Sequence, residues 1–170
     1  MPKGLKETSS LIEIGFSVTE SGANTFTQGR VDLQLNPLDN EVFVVYAVNL
    51  DPFAPDATAG ANTAVLTSLT TTSATAVQNL SSSNCIANAN LLIRAAGFAD
   101  AGVAITTGAT ETPPTTLEYI AIISTNDFFV QCEGVGNGAA KGVTGRMYGV
   151  RARADASVYA ALVQSEVLSS

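Results

Sequence analysis

The chain contains no histidine and no tryptophan, only two cysteines, and few charges: eight basic and fifteen acidic side chains in 170 residues. Without histidine there is no Ser-His-Asp triad, no Cys-His pair, no HExxH zinc site and no imidazole base. Without tryptophan, and with only seven Phe and four Tyr, stacking platforms for sugars or single-stranded nucleic acid are poorly supplied. Two thiols, Cys85 and Cys132, make neither a disulfide framework nor a four-ligand zinc site. They could make one bridge, but in a domain of this length free, buried thiols are the plainer reading. Long apolar runs are also missing. The longest, Val42 to Val48, is about a third of what a membrane-spanning helix needs. The first ten residues hold Lys3, Lys6 and Glu7 but no apolar signal core.

What fills the chain instead is small and neutral: 25 Ala, 19 Thr, 14 Ser and 14 Gly. Charged residues are 14 % of the sequence, against about 25 % in ordinary soluble domains. A folded chain of this mass exposes roughly 7,900 Å², or about 340 Å² per charge, nearly twice the usual spacing. A surface of Ser, Thr, Ala, Gly and Asn costs little to desolvate, which suits a protein held against neighbours.

The length fits one domain, with residues 1–10 as a polar arm and 11–170 as the body. Leu11 to Val18 reads as a strand closed by a turn at Ser21, Gly22 and Asn24. Val31, Leu33 and Leu35 alternate with Asp32 and Gln34, the cleanest period of two in the chain. Asn36 to Asn40 is a turn by composition. Glu41 to Leu50 is apolar on both faces, so it is either central in a sandwich or covered by another subunit; core is the plainer reading. Asp51-Pro52-Phe53-Ala54-Pro55-Asp56 is expected to end it. Thr63 to Thr72 fits an edge strand or an ordered loop. Two short strands are expected around Asn90–Phe98 and Val103–Thr107, with Pro113-Pro114 as a break. Thr116–Ile123, Phe128–Glu133 and Gly142–Arg153 read as an antiparallel meander. Asp155 then caps a closing helix with Tyr159, Leu162, Val163 and Val167 on one stripe, a final strand being the alternative. Seven to nine strands with at most one short C-terminal helix indicate an all-β, antiparallel two-sheet sandwich or jelly roll.

Motifs for chemistry fail on spacing. Gly134-Val135-Gly136-Asn137-Gly138-Ala139-Ala140-Lys141 fits neither the P-loop nor the dinucleotide fingerprint and reads as a hairpin loop. Lys141, Arg146, Arg151 and Arg153 hold half of the positive charge, yet Arg151 and Arg153 share one strand face while Arg146 takes the other. The plainer reading is a solvated face with ion pairs between subunits, not a nucleic-acid strip. Asp51 and Asp56 match no calcium loop. Glu118, Asp127 and Glu133 pair as carboxylates only in the sense that any three acids do. Asn79-Leu80-Ser81 matches a glycosylation sequon and reads as chance. No catalytic, cofactor or metal residue emerges. Tyr159, Leu162 and Val163 read equally as core or as subunit interface; with Arg151 and Arg153 they are the candidate subunit-interface residues.

The whole pattern resembles the single jelly-roll coat proteins of tailless icosahedral viruses. A short polar arm precedes GRVDLQLNPLDNEVFVVYAVNLD as two opening strands, then come a Ser/Thr/Ala-rich middle and the closing RMYGVRARADASVYAALVQSEVL. The resemblance implies a virion protein made in the host cytoplasm, a capsid subunit self-assembling into an icosahedral shell. Its partners would be copies of itself and other capsid proteins, in a high-order homo-oligomer with no cofactor, no transmembrane segment and no sequence-specific nucleic acid. The strongly basic arm of many such coats is missing, which fits a genome separated from the shell by another layer. The alternative is a binding module of a surface appendage, an adhesin or carbohydrate-binding sandwich.

Overall fold

The computed structural model describes residues 1–96, 105–110 and 116–169. Along them run β1 (Leu5–Glu7), β2 (Ile12–Thr19), β3 (Thr27–Asp32), a 3-10 turn (Pro37–Asp39), β4 (Glu41–Pro52), β5 (Asn62–Thr70), β6 (Cys85–Arg94), β7 (Ile105–Thr110), β8 (Ala121–Ile123), β9 (Asp127–Val135), β10 (Gly142–Ala154) and α1 (Ala156–Ser169). Every strand pairing is antiparallel. One sheet has the order β2-β10-β4-β8, with β1 continuing the line of β2 along the end of β10; the other has the order β3-β9-β5-β6-β7. From β2 to β5, and again from β7 to β10, each successive strand changes sheet. That alternation is the connectivity of the double-sheet jelly roll.

The core lies between the sheets. Phe43 and Val45 of β4, Val65 and Leu69 of β5, Phe128, Val130 and Cys132 of β9, and Val143 and Met147 of β10 are buried there. The rings of Phe16 and Phe128 meet edge-on across it at 5.7 Å, a favoured aromatic geometry. Fully burying each Phe, Val or Leu contributes about 1.5–3 kcal/mol. Cys85 and Cys132 form no disulfide. Burial, then the Glu20 and Glu133 carboxylates, push the Cys132 thiol up to about 12, so it stays protonated and inert.

A second apolar cluster forms on the outer face of the β4 sheet. Val42 and Val44 alternate with Phe43 and Val45, and they meet Val150, Ala152 and Ala154 of β10 beneath Val158, Tyr159 and Leu162 of α1. The both-faced apolarity of β4 is thus met within the chain: β4 is central in its sheet and the C-terminal helix closes its outer face. Leu5 of β1 joins this cluster, so residues 1–10 are partly built into the body. A bulge in β4 at Tyr46, where Tyr148 faces Ala47 but Gly149 faces Val45, lets both strands keep their apolar faces inward.

Several expectations are corrected. The strand carrying Val31 ends at Asp32, because Gln34 takes a left-handed conformation, φ 54°; Leu33 and Leu35 are still buried, from an irregular turn. β4 runs on through Pro52, which β10 still faces. β8 pairs with residues 43–45, and among the described residues no strand pairs with that side of β4 at Pro52, which needs no ladder donor there. β5 is neither edge nor loop but lies between β6 and β9; its hydroxyls are satisfied locally, Thr67 donating to the Ala89 carbonyl at 2.5 Å. The three last strands form no meander, since β8 and β10 lie in one sheet and β9 in the other, and only Ala121–Ile123 of the expected 116–123 strand is regular. Phe98, Val103 and the Pro113-Pro114 break lie outside the described residues.

Two glycines of β10 let aromatic rings lie flat on the sheet. A Cβ at Gly149 would collide with the Val44 carbonyl and, at 2.5 Å, with the Phe43 ring; one at Gly145 would meet the Phe16 ring at 2.5 Å. At Gly15 of β2 a Cβ meets nothing within 4 Å. Gly149→Ala should therefore destabilise the chain by about 2–3 kcal/mol in urea unfolding, while Gly15→Ala changes it by less than about 0.5 kcal/mol. Equal effects would contradict this packing.

Candidate functional site

The five candidate interface residues do not form one surface. Tyr159 and Leu162 face inward, against Val42, Val44 and β10, and Val163 is half-buried beside them. Val167, placed on the same stripe by the sequence, is 64 % exposed. The buried residue of that last turn is Glu166, 9 % exposed, whose Oε1 accepts from the Ser124 backbone N–H at 2.8 Å. The helix is therefore rotated by about one residue from the expected stripe. The outward residues of α1 include Ala160, Ala161, Gln164, Val167 and Leu168.

Arg151 and Arg153 occupy the other side of β10, as their spacing requires. Arg151 donates to the Leu33 carbonyl (2.6 Å), the Gln34 carbonyl (3.2 Å) and Glu41 Oε1 (2.6 Å). It holds the left-handed turn at Gln34 closed, which is an internal duty. Arg153 pairs with Asp39 at 3.3 Å and is exposed. Arg146 and Lys141 also have acids of their own, Glu13 at 3.6 Å and Asp56 at 2.7 Å. All four cations of the basic strip are thus matched within the chain, where the sequence reading expected pairs between subunits.

One end of the sandwich carries the 20–26, 53–61 and 136–141 connections, and a polar network ties them together. Glu20 is 5 % exposed and accepts from the backbone N–H groups of Thr25, Gly134 and Lys141 at 2.8–2.9 Å. Asn137 is buried; its Nδ2 donates to the Ala64 carbonyl and its Oδ1 accepts from the Asp56 N–H, both at 2.9 Å. The glycine-rich segment that imitated a phosphate loop directs its N–H groups at side chains of its own chain, Gly134 and Lys141 at Glu20, Asn137 at Asn24 and Gly138 at Asp56, and it joins two sheets where a hairpin was expected. Lys141, then the Gly138 N–H, hold the Asp56 carboxyl below the ordinary aspartate range. Asp127 is taken by Arg30 at 2.6 Å and Glu118 lies 3.5 Å from the N-terminal amine, so these acids have separate partners.

The opposite end carries the 33–40, 71–84 and 124–126 connections. Here the sequence reading missed Leu38, which is 93 % exposed at the tip of the 3-10 turn. Asn36 fixes that turn by accepting from the Leu38 N–H at 3.0 Å. Leu80, 57 % exposed, lies at the tip of 71–84, inside the Asn79-Leu80-Ser81 match, where Asn79 accepts from the Ser81 N–H. Composition marks both segments as turns and gives no sign that their apolar side chains point outward. Segment 71–84 folds over the β5-β9 sheet on neutral bonds: Gln78 N–H to Ser68 Oγ (3.1 Å), Ser68 Oγ to Gln131 (2.7 Å) and Ala74 N–H to Gln28 (2.8 Å). A surface cavity of about 490 Å³ lies in this segment, walled by Ser73, Ala74, Thr75, Gln78 and 81–84. Among the described residues no group of three Cys, Asp or Glu side chains converges on a metal position, and no helix is long and apolar enough to cross a membrane.

Replacing Arg151 with Met should cost about 1–3 kcal/mol, because the Leu33 and Gln34 carbonyls and Glu41 lose their donors; Arg153→Met should cost less than about 0.5 kcal/mol. Equal losses in chemical unfolding would show that Arg151 is not a clamp. The Asp56–Lys141 pair has a definite pH signature. A carboxyl whose folded pKa is depressed adds stability above its unfolded pKa of about 3.9 and loses it as pH falls through the lower, folded value. A carboxyl NMR titration should show Asp56 below the ordinary range, and Lys141→Met should bring it back towards it. An unshifted Asp56 in the parent protein would rule the pair out.

No family model, curated protein or solved structure matches this chain.

Proposed function

We propose that this chain is a structural virion protein, a capsid subunit that assembles with copies of itself into an icosahedral shell. The observation that carries the reading is the strand order, β2-β10-β4-β8 against β3-β9-β5-β6-β7, adopted by a chain with so few charges. The double-sheet jelly roll hosts viral coats, lectins and cupins. Metal chemistry on such a scaffold draws on imidazole and carboxylate ligand sets, and this sequence contains no histidine. Extended contacts between subunits favour a depletion of charge, which the composition supplies. The cations of β10 have their acids at home, so a docking partner need supply no charge to match them. Leu38 and Leu80, held outward at one end, offer apolar anchors.

A second reading, a carbohydrate-binding module, is favoured by the cavity in 71–84. Its walls are hydroxyls and amides without charge, which suits a neutral polyhydroxyl ligand. Electron microscopy and sedimentation of the purified full-length chain separate the two. The first reading predicts closed particles or high-order rings; a monomer at every concentration that binds members of a glycan array would replace it with the second.

A further inference from the structure

Each sheet edge of a sandwich is a row of unpaired backbone groups, and native proteins blunt such edges with charge, proline, bulges or short strands. β3 carries Arg30 and Asp32, locked in ion pairs with one another and with Asp127. β8 has three residues. β2 is different. It has eight residues, Ile12–Thr19, with no proline and a single charge, Glu13, already set against Arg146. Among the described residues β2 pairs with β10 alone. β3 comes close at Val18, where a Cβ on Gly29 would meet Val18 Cγ2 at 2.6 Å. Among the described residues no strand pairs with the outward edge of β2.

We propose that β2 is a self-recognition edge: a second copy of this chain adds its own β2 antiparallel to it, about a two-fold axis at Gly15, joining two β2-β10-β4-β8 sheets into one. This rests on the reading of the protein as a self-assembling subunit and names the surface that the copies share. The register follows from the side chains. Residues directly opposite in an antiparallel pair must belong to the same face, and a one-residue slip would place Ile12, Ile14, Phe16 and Val18 opposite exposed positions. An axis at Glu13 would set two carboxylates against each other, which is destabilising. At Gly15 the inner face pairs Ile12 with Val18 and Ile14 with Phe16, all in or against the core. The outer face pairs Glu13 with Ser17 and Leu11 with Thr19, and glycine meets glycine at the centre. No like charges face each other, and the ladder of backbone donors and acceptors supplies the affinity, as in strand addition generally. The interface is isologous, the self-complementary kind a two-fold axis demands.

Gly15 also provides the test, since a side chain there has open space. Opposed residues in such a ladder have Cα atoms about 4.5–5.5 Å apart, within disulfide range. In full-length protein under mild oxidation, Gly15→Cys should form a covalent dimer, and so should the double variant Glu13→Cys/Ser17→Cys. Ser17→Cys alone, facing residue 13 of its partner, should not. Gly15→Arg sets two cations opposite one another and should weaken self-association about ten-fold or more, as should Gly15→Glu; an equimolar mixture of the two should recover it. Particles that form while Gly15→Cys cross-links no better than Ser17→Cys would overturn the β2 ladder and leave the capsid reading standing. A parent chain that stays monomeric at every concentration would overturn both.

Discussion

The structure depends on the apolar character of both faces of β4. Phe43 and Val45 enter the space between the sheets, and Val42 and Val44 point the opposite way; all four are essentially inaccessible to water. A strand with one wet face could have sat in a simple two-layer sandwich. This one needs a third layer. α1 supplies it, laying Val158, Tyr159 and Leu162 over Val42, Val44 and the matching residues of β10. Both ends of the chain are drawn to this face. Gly4, at φ 82°, lies where a Cβ would strike Val158 Cγ2 at 2.8 Å, so the N-terminal segment passes directly beneath the first turn of the helix.

Cover by the chain itself changes where contacts with other copies fall. α1 covers the outer face of the β4 sheet around Val42, Val44, Val150 and Ala152, while Ala47, Asn49 and Asp51 of β4 and Glu13, Ser17 and Thr19 of β2 stay exposed; 71–84 lies over the β5-β9 sheet. The surfaces left for assembly are that uncovered strip and the edges and ends of the sandwich. There the molecule presents neutral side chains, outward leucines and one long unblunted strand, while Glu20 and Asn137 lock the connections at one end and Arg151 locks a turn at the other. Rigid connections lower the ordering cost of docking a partner against them. The proposed shell subunit and the proposed β2 ladder both draw on these uncovered surfaces.

Much of the fold was legible in the residues because the burial pattern is strong. The two-faced apolarity of β4, the turn at 36–40, the closing helix and the all-β character can be read from periodicity and breakers. What escaped was set by long-range contact. Whether a turn such as Ser124–Asn126 reverses a strand within its sheet or carries it to the other is not encoded in the turn, so the last three strands look like a meander and are not. Thr63–Thr70 is too hydroxyl-rich to look central until Ala89 and Gln131 are placed as its partners. Val167 and Glu166 exchange roles because a stripe with apolar residues on several sides of the helix leaves its rotation to packing. For the site, Tyr159 and Leu162 were legible as apolar anchors, but what they anchor to is their own sheet, and the outward Leu38 and Leu80 sit in segments that composition marks only as turns.

The claim that α1 is the cover for the second face of β4 is tested most directly by the unfolding free energy of two full-length variants. Val158→Ala/Tyr159→Ala/Leu162→Ala strips the side chains that touch Val42 and Val44, and should cost about 4–6 kcal/mol because apolar surface on both elements is returned to water. Val167→Ala/Leu168→Ala trims the same helix on its exposed side and should cost less than about 0.5 kcal/mol. Comparable values for the two would mean that the helix does not rest on β4, and the account of this fold would be wrong.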